Sequence, residues 1–315
     1  MNLLIYIPAF NEAKTIRQVI ASIPGSFVGI EDVKVLVVND GSSDNTTGEA
    51  EAAGAFVVSH KSNKGVGGAF QTAVRVALER RVDILCSIDA DGQFDVGQIS
   101  QMIKPIVQGV ADFCIGKRFT NAKPANMPEI KYWGNQQVNR IVSWACGEKI
   151  EDASCGFRAY SKECLLSLNL QGKFTYTHET ILDLVNKGFC IEQIPVSVKY
   201  FDDRVSRVAN SLLKYGVQTG KIILKSLKDY KPFYFFGAIA AVVFIIGLIP
   251  GVFVALHWLL IGTISPYKGL GILSVLTEIV AVIFFVLALI ADILGRIRDN
   301  QEKIMYLLKS MKFKE

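Results

Sequence analysis

Two long apolar stretches constrain this chain before any motif does. Phe233–Leu260 is apolar throughout except for His257, and in Leu270–Ala291 the one ionisable residue is Glu278. A helix needs roughly 20 apolar residues, about 30 Å of rise, to cross the hydrocarbon core of a bilayer. Both stretches reach that length, whereas buried core helices are shorter and carry more polar positions. Two transmembrane helices are therefore expected, and they account for a mean hydropathy of +0.33. Arg204, Arg207, Lys214, Lys221, Lys225, Lys228 and Lys231 precede the first stretch. Arg296, Arg298, Lys303, Lys309, Lys312 and Lys314 follow the second, and only Lys268 lies between them. Cytoplasmic flanks carry the Lys/Arg excess. The pattern predicts a multi-pass protein of the inner (plasma) membrane with both termini in the cytoplasm and a short outer loop near Pro266.

The net charge of +5 then reads as attraction to an anionic membrane surface. Aromatic and basic residues are not interleaved as in single-strand binders, so no nucleic-acid partner is expected. Met1–Ile7 is too short for a signal core and runs into Pro8, which predicts a cytoplasmic globular domain ahead of the spans. Six cysteines (Cys86, Cys114, Cys146, Cys155, Cys164 and Cys190) show no C-x-x-C pairing and are expected to be reduced. Val208–Lys231 sets Leu212, Leu213, Val217, Ile222, Ile223 and Leu227 against Lys214, Lys221, Lys225 and Lys228, the pattern of an interfacial helix. The expected organisation is a globular domain at 1–207, a juxtamembrane helix at 208–231, the spans within 232–293 and a basic tail at 294–315. Glu278, ionisable inside a span, marks a functional or helix–helix contact and leaves room for self-association.

Within the globular part, Leu3–Ile7, Val33–Val38, Ala55–Val58, Ile84–Ile88 and Phe113–Ile115 read as strands. Glu12–Ser22, Ser43–Ala53, Gly67–Arg80 and Val96–Gln108 have helical periodicity. Continuous apolar strands indicate an α/β fold, a mostly parallel sheet covered on both faces. Further on, Lys117–Glu129 reads as a loop, Tyr132–Cys146 as a helix, Glu151–Arg158 as a polar turn and Phe189–Tyr200 as a late strand pair or edge. Ligands bind beyond the carboxyl ends of such strands, and the distinctive residues collect there: Pro8-Ala9-Phe10-Asn11-Glu12, Asn39-Asp40-Gly41-Ser42, Asn63-Lys64-Gly65 and Asp89-Ala90-Asp91. Residues two apart share one face of a strand. Asp89 and Asp91 can thus aim at one point, where hard oxygen ligands suit Mg²⁺ or Mn²⁺ carrying a diphosphate. Asp40 can accept from a nucleobase N–H, and Lys64 and Gly65 open a helix, a place suited to anions. The spacing G-x-G-x-x-G is absent and the glycines follow the third strand, which argues against a dehydrogenase.

Taken in order, these residues resemble the family 2 glycosyltransferases with the GT-A (Rossmann-like) fold. Asp89-Ala90-Asp91-Gly92-Gln93, Cys155-Gly156-Phe157-Arg158-Ala159-Tyr160 and the two C-terminal spans are similar to the polyprenyl-phosphate glycosyltransferases of that family. The resemblance implies that Pro8, Ala9, Glu12, Asp40 and Asp89 line the nucleotide-sugar pocket. It implies Asp89, Asp91 and Gln93 at the metal, Arg118 at phosphate and Asp152 where the family places a base. Asp152 has two further readings, positioning the acceptor or balancing Arg158 and nearby basic groups. The Arg204-Val205-Ser206-Arg207 run is shorter than the family's, so both Arg204 and Arg207 are candidates for the acceptor phosphate. His178 lies in a segment that resembles one near the sugar. The implied reaction is inverting, metal-dependent sugar transfer from a nucleotide diphosphate sugar to a polyprenyl (undecaprenyl or dolichyl) phosphate. UDP-glucose is the preferred donor and GDP-mannose the alternative. A polysaccharide synthase would carry Gln-x-x-Arg-Trp, and Trp144 is preceded instead by Arg140-Ile141-Val142-Ser143. A scaffold that only binds a nucleotide sugar would not need the Asp89/Asp91/Gln93 set.

Overall fold

Strand β1 (Asn2–Ala9) sits mid-sheet, and its two faces build two different cores. Leu3, Ile5, Ile7 and Ala9 face one way, against Ile16, Val19 and Ile20 of α1 (Ile16–Ala21) and Ile99, Met102, Ile103 and Ile106 of α4 (Ile99–Val107). Tyr6 faces the other, near Phe70 of α3 (Gly65–Glu79). There Phe70 stacks on Tyr176 at 4.0 Å between ring centroids, and Phe113 on Tyr160 at 4.6 Å. Rings that large bury enough area to dominate this layer.

A computed structural model of the chain describes residues 1–119, 127, 129–169, 176–199, 220, 221, 224, 228 and 232–314. They form two compact units, Met1–Ile223 with Met305–Glu315, and Leu224–Ile304. The first unit holds β1, β2 (Asp32–Asn39), β3 (Phe56–Ser59), β4 (Ile84–Ser87), β5 (Phe113–Lys117), β6 (Arg158–Ser161) and β7 (Ile191–Pro195), in the order β3-β2-β1-β4-β6-β5-β7. The remaining helices of this unit are α2 (Thr46–Ala52), α5 (Glu129–Cys146), α6 (Lys162–Ser167) and α7 (Thr177–Asn186). All neighbours are parallel except β6, which is antiparallel to both β4 and β5.

Strand β6 begins at Arg158, the last residue of the predicted turn, and continues over residues that show no element in the sequence. Four residues beginning with an arginine give the two-residue period nothing to register on. Its insertion decides the site. Ser87 pairs with Arg158, and an antiparallel partner runs backwards, so the residues before Arg158 lie beside those after Ser87. The predicted helix Val96–Gln108 begins with a 3-10 turn, Val96–Gln98, capped by the Asp95 side chain accepting from the Gly97 N–H.

The second unit contains α8 (Pro232–Ile261) and part of α9 (Lys268–Lys314). Each helix has a stretch of mean hydropathy 2.8, of which 17% is buried. A soluble core helix would hide that surface; these leave it outward, and both are long and apolar enough to cross a membrane. Gly247 and Gly251 of α8 let the two helices approach. The Ser274 hydroxyl donates to the Gly247 carbonyl at 2.7 Å, and a Cβ at Gly247 would come within 2.9 Å of Glu278 Oε1. Glu278 thus sits at a helix–helix contact. Most of Val208–Lys231, read as an interfacial helix, lies outside the described residues.

Candidate active site

The ends of β1 and β2 are in register, Ala9 opposite Asn39, and the Asp40 N–H donates to the Ala9 carbonyl at 2.9 Å. Beyond them, Asn11 adopts φ +55°, a conformation asparagine tolerates better than most residues. Its N–H donates to Ser42 Oγ and its Oδ1 accepts from the Ser43 N–H, at 2.9 and 2.8 Å. The Glu12 N–H donates to Thr46 Oγ1 at 2.9 Å. The Pro8–Glu12 loop is thereby tied to the turn after Asp40.

Asp40 is buried. Its Oδ1 accepts from the Lys64 N–H and lies 2.7 Å from His60 Nδ1, while Oδ2 accepts from the Gly65 N–H at 2.8 Å. Three of the roughly four acceptor positions of a carboxylate are filled from within the chain. The amides opening α3, read from the sequence as suited to an anion, donate to the Asp40 carboxylate. His60, which also reaches Thr72 Oγ1 at 2.9 Å, carried no sequence signal. Gly41 is obligatory here: at φ +76° a Cβ would lie 2.9 Å from the backbone of Ser62 and Asn63.

Asp89 lies two residues beyond β4, packed against Gly156, where a Cβ would stand 3.1 and 3.2 Å from the two carboxylate oxygens. Burial first, then the charges of Asp91 and Glu12, push its pKa up to about 7 against the opposing Arg118. The Asp91 carboxylate accepts from the Gln93 N–H at 3.0 Å, and the Gln93 carbonyl accepts from the Lys199 N–H at 2.9 Å. Among the described residues no three His, Cys, Asp or Glu side chains gather for a metal. Mg²⁺ is ordinarily held by one or two carboxylates, with phosphate oxygens and waters completing the shell. The crowding of Asp89 with Asp91 and Glu12, which Arg118 opposes, fits such an ion.

Arg118, partly buried, and Asp152 form a two-pronged pair. Nε donates to Oδ2 at 2.7 Å and an Nη to Oδ1 at 2.8 Å; the Arg118 backbone N–H adds a third bond, and Ser154 Oγ lies 3.1 Å from the same Nη. Asp152 is fully enclosed. Expected as a base, an acceptor positioner or a balance to Arg158 and nearby basic groups, Asp152 has Arg118 as its bonded basic partner. One face of α5 holds this turn at intervals of four residues. The Asn135 Oδ1 accepts from Ser154 Oγ–H, Asn139 donates to the Glu151 carbonyl and accepts from the Ala153 N–H, and Ser143 Oγ accepts from the Ile150 N–H. That 135/139/143 spacing is legible in the sequence, although it was not singled out there.

Arg158 is wholly buried with neutral partners: the carbonyls of Ala153, Cys155 and Thr177, and Thr180 Oγ1, at 2.7–2.8 Å. His178 is buried too, and burial, then Arg158, push its pKa down to about 3, so it is neutral. That suits a packed structural residue. Arg204 and Arg207 lie outside the described residues.

Residues 4–167 match the profile of Glycosyl transferase family 2. The chain belongs to this family. Among relatives of this glycosyltransferase, the UDP-N-acetylglucosamine–dolichyl-phosphate N-acetylglucosaminyltransferase of Methanococcus voltae is 31% identical over 245 residues, 70% of this chain and 96% of its own. Glycosyltransferase AglJ of Haloferax volcanii is 25% identical, covering 94% of both chains. The polyprenol monophosphomannose synthase of Mycolicibacterium smegmatis is 25% identical over 67% of this chain and 82% of its own. Among solved structures, glucosyl-3-phosphoglycerate synthase from Mycobacterium tuberculosis with UDP superposes with a TM-score of 0.57 at 22% identity, covering 72% of this chain and 79% of that one. That likeness establishes the GT-A fold of this enzyme.

Proposed function

We propose that this glycosyltransferase moves a sugar, with inversion, from a nucleotide diphosphate sugar to a polyprenyl phosphate at the cytoplasmic face of the membrane. UDP-glucose is the first donor to test. The reading is carried by one juxtaposition: Asp89 and Asp91 at the end of β4, in a family 2 chain that also has two apolar helices of membrane-crossing length. The relatives named for dolichyl-phosphate and polyprenol substrates support the acceptor.

Pro8, Ala9, Glu12 and Asp40 would line the nucleoside side, with Lys64 and Gly65 acting through Asp40, whose carboxylate they orient. Asp89 and Asp91, with Gln93, would hold Mg²⁺ or Mn²⁺, which when bound supplies charge for the departing diphosphate. The bond from the anomeric carbon to the diphosphate breaks with its electron pair leaving on the diphosphate, and an acceptor phosphate oxygen forms the new bond. That oxygen is already anionic at neutral pH, so no proton has to be removed from it. The enclosure of Asp152 is compatible with such chemistry. In this scheme Asp152 is a positioning residue that aims Arg118, whose planar fork suits phosphate oxygens. Arg204 and Arg207 are retained as candidates for the acceptor phosphate.

The test is a donor panel of UDP-glucose, UDP-N-acetylglucosamine and GDP-mannose against undecaprenyl phosphate, with purified full-length chain and Mn²⁺. Labelled lipid product from one donor, abolished by EDTA, is expected. Metal-dependent donor binding with no lipid product from any donor would overturn the reading.

A further inference from the structure

Helix α5 has a second face that the site does not use. Its inner side pins the turn carrying Asp152; its outer side presents Trp133, Ile141 and Trp144, 64%, 43% and 68% exposed, with Arg140 exposed between them. Positions 133, 140, 141 and 144 fall on one stripe of a helix. Single exposed apolar residues are ordinary, but two indoles and an isoleucine aligned on one stripe are not. We infer that this outer face of α5 seats in the headgroup layer of a lipid bilayer.

Three observations select lipid over a protein partner. Indole rings favour the membrane–water boundary, where an apolar body and one N–H donor are both accommodated. From Trp133 to Trp144 the outward positions are Gln136, Gln137, Arg140 and Ile141, with a cation and no acid, which suits anionic headgroups; beyond the stripe's ends lie exposed Glu129 and Glu148, and Lys149, which pairs with Glu151 at 3.4 Å. The stripe is also small. Trp133 to Trp144 spans about 17 Å at 1.5 Å per residue, and three such side chains cover a few hundred Å², short of the ~800 Å² per partner of a stable protein interface. A bilayer sets no such minimum, and a chain tethered by its own apolar helices meets it at high effective concentration.

The contact has a route to the chemistry. Tyr132 meets Phe119 edge-on at 5.5 Å, next to Arg118, and Asn135 reaches Ser154, which bonds the Arg118 guanidinium. A helix held in the headgroups would thus hold Arg118 at a set height relative to a lipid-borne phosphate. This step rests on the proposed acceptor; the membrane contact itself does not.

The chain contains three tryptophans, so the test is direct. In full-length W258F protein in phosphatidylglycerol/phosphatidylcholine proteoliposomes, the indole emission comes from Trp133 and Trp144 alone. Lipids brominated high on the acyl chain should quench them strongly, deep-brominated lipids weakly, and iodide several-fold less than it quenches N-acetyltryptophanamide. Adding Ile141→Glu should restore iodide access. Iodide quenching equal to that of the free indole, without lipid quenching, would overturn the inference. So would iodide shielding without lipid quenching that grows with protein density, the mark of a second copy. W133F/W144F leaves Trp258 as an independent report of span insertion, and neither readout depends on any transfer activity.

Discussion

Residues decide this site by close approach. Gly156 has no side chain because Asp89 occupies the space, so Gly156→Ala should push the carboxylate by a few tenths of an ångström. Misplacements on the order of 1 Å cost up to about a hundredfold in rate; here a several-fold drop in kcat with little change in melting temperature is expected from paired kinetics and thermal melts. Asp152 is a different case, because breaking a buried pair by removing one charge costs about 3–5 kcal/mol. Asp152→Asn should therefore destabilise the fold in urea titrations and lower turnover more than donor affinity; near wild-type turnover would remove Asp152 from the reaction. Asp89 also sets a pH dependence. Its pKa in the fold, about 7, stands above the ordinary 3.8. The stability it contributes is therefore complete below its unfolded pKa and lost as pH rises through about 7. A bound cation reverses that loss, so the melting-temperature gain from Mn²⁺ should be larger near pH 8 than near pH 6. Equal gains at both, unchanged in Asp89→Asn, would contradict the assignment.

At the scale of elements, legibility followed length and period. The strands of the first half and helices α1–α5 announced themselves through apolar runs and 3.6-residue spacing. Strand β6 did not, because a buried arginine opens it and four residues cannot display a period. The same insertion hid the meeting of Gly156 with Asp89, a contact between residues 67 apart in number that only the antiparallel register creates. Asp89 and Asp91 were readable as a pair because both lie at one strand end. The His60–Asp40 bond was not, since it joins two loops with no shared spacing. Helix α5 shows how an element serves a site it does not line. Asn139→Ala should leave the Glu151 carbonyl and Ala153 N–H without their partner, costing about 1–3 kcal/mol. Kinetics should show kcat reduced more than donor KM, because the turn that carries Asp152 loosens; equal effects on both would argue for a general loss of fold.

On the scale of the molecule, the two units rest on different physics. The first is held by a sheet with two dissimilar cores, the second by small residues that let two apolar helices touch. Gly251→Leu should part them, since even a Cβ there would come within 2.5 Å of Ser274 Oγ; a lowered melting temperature in detergent, with donor binding intact, is the expected result. The first unit also contains a buried charge whose hydrogen-bond partners, among the described residues, are neutral. Arg158 is bonded to carbonyls and a hydroxyl, and a guanidinium does not lose its proton in proteins. Buried charges are screened by salt far less than exposed ones. Beside the end of β4, an arriving anion therefore meets a standing field that neither buffer nor ionic strength turns off.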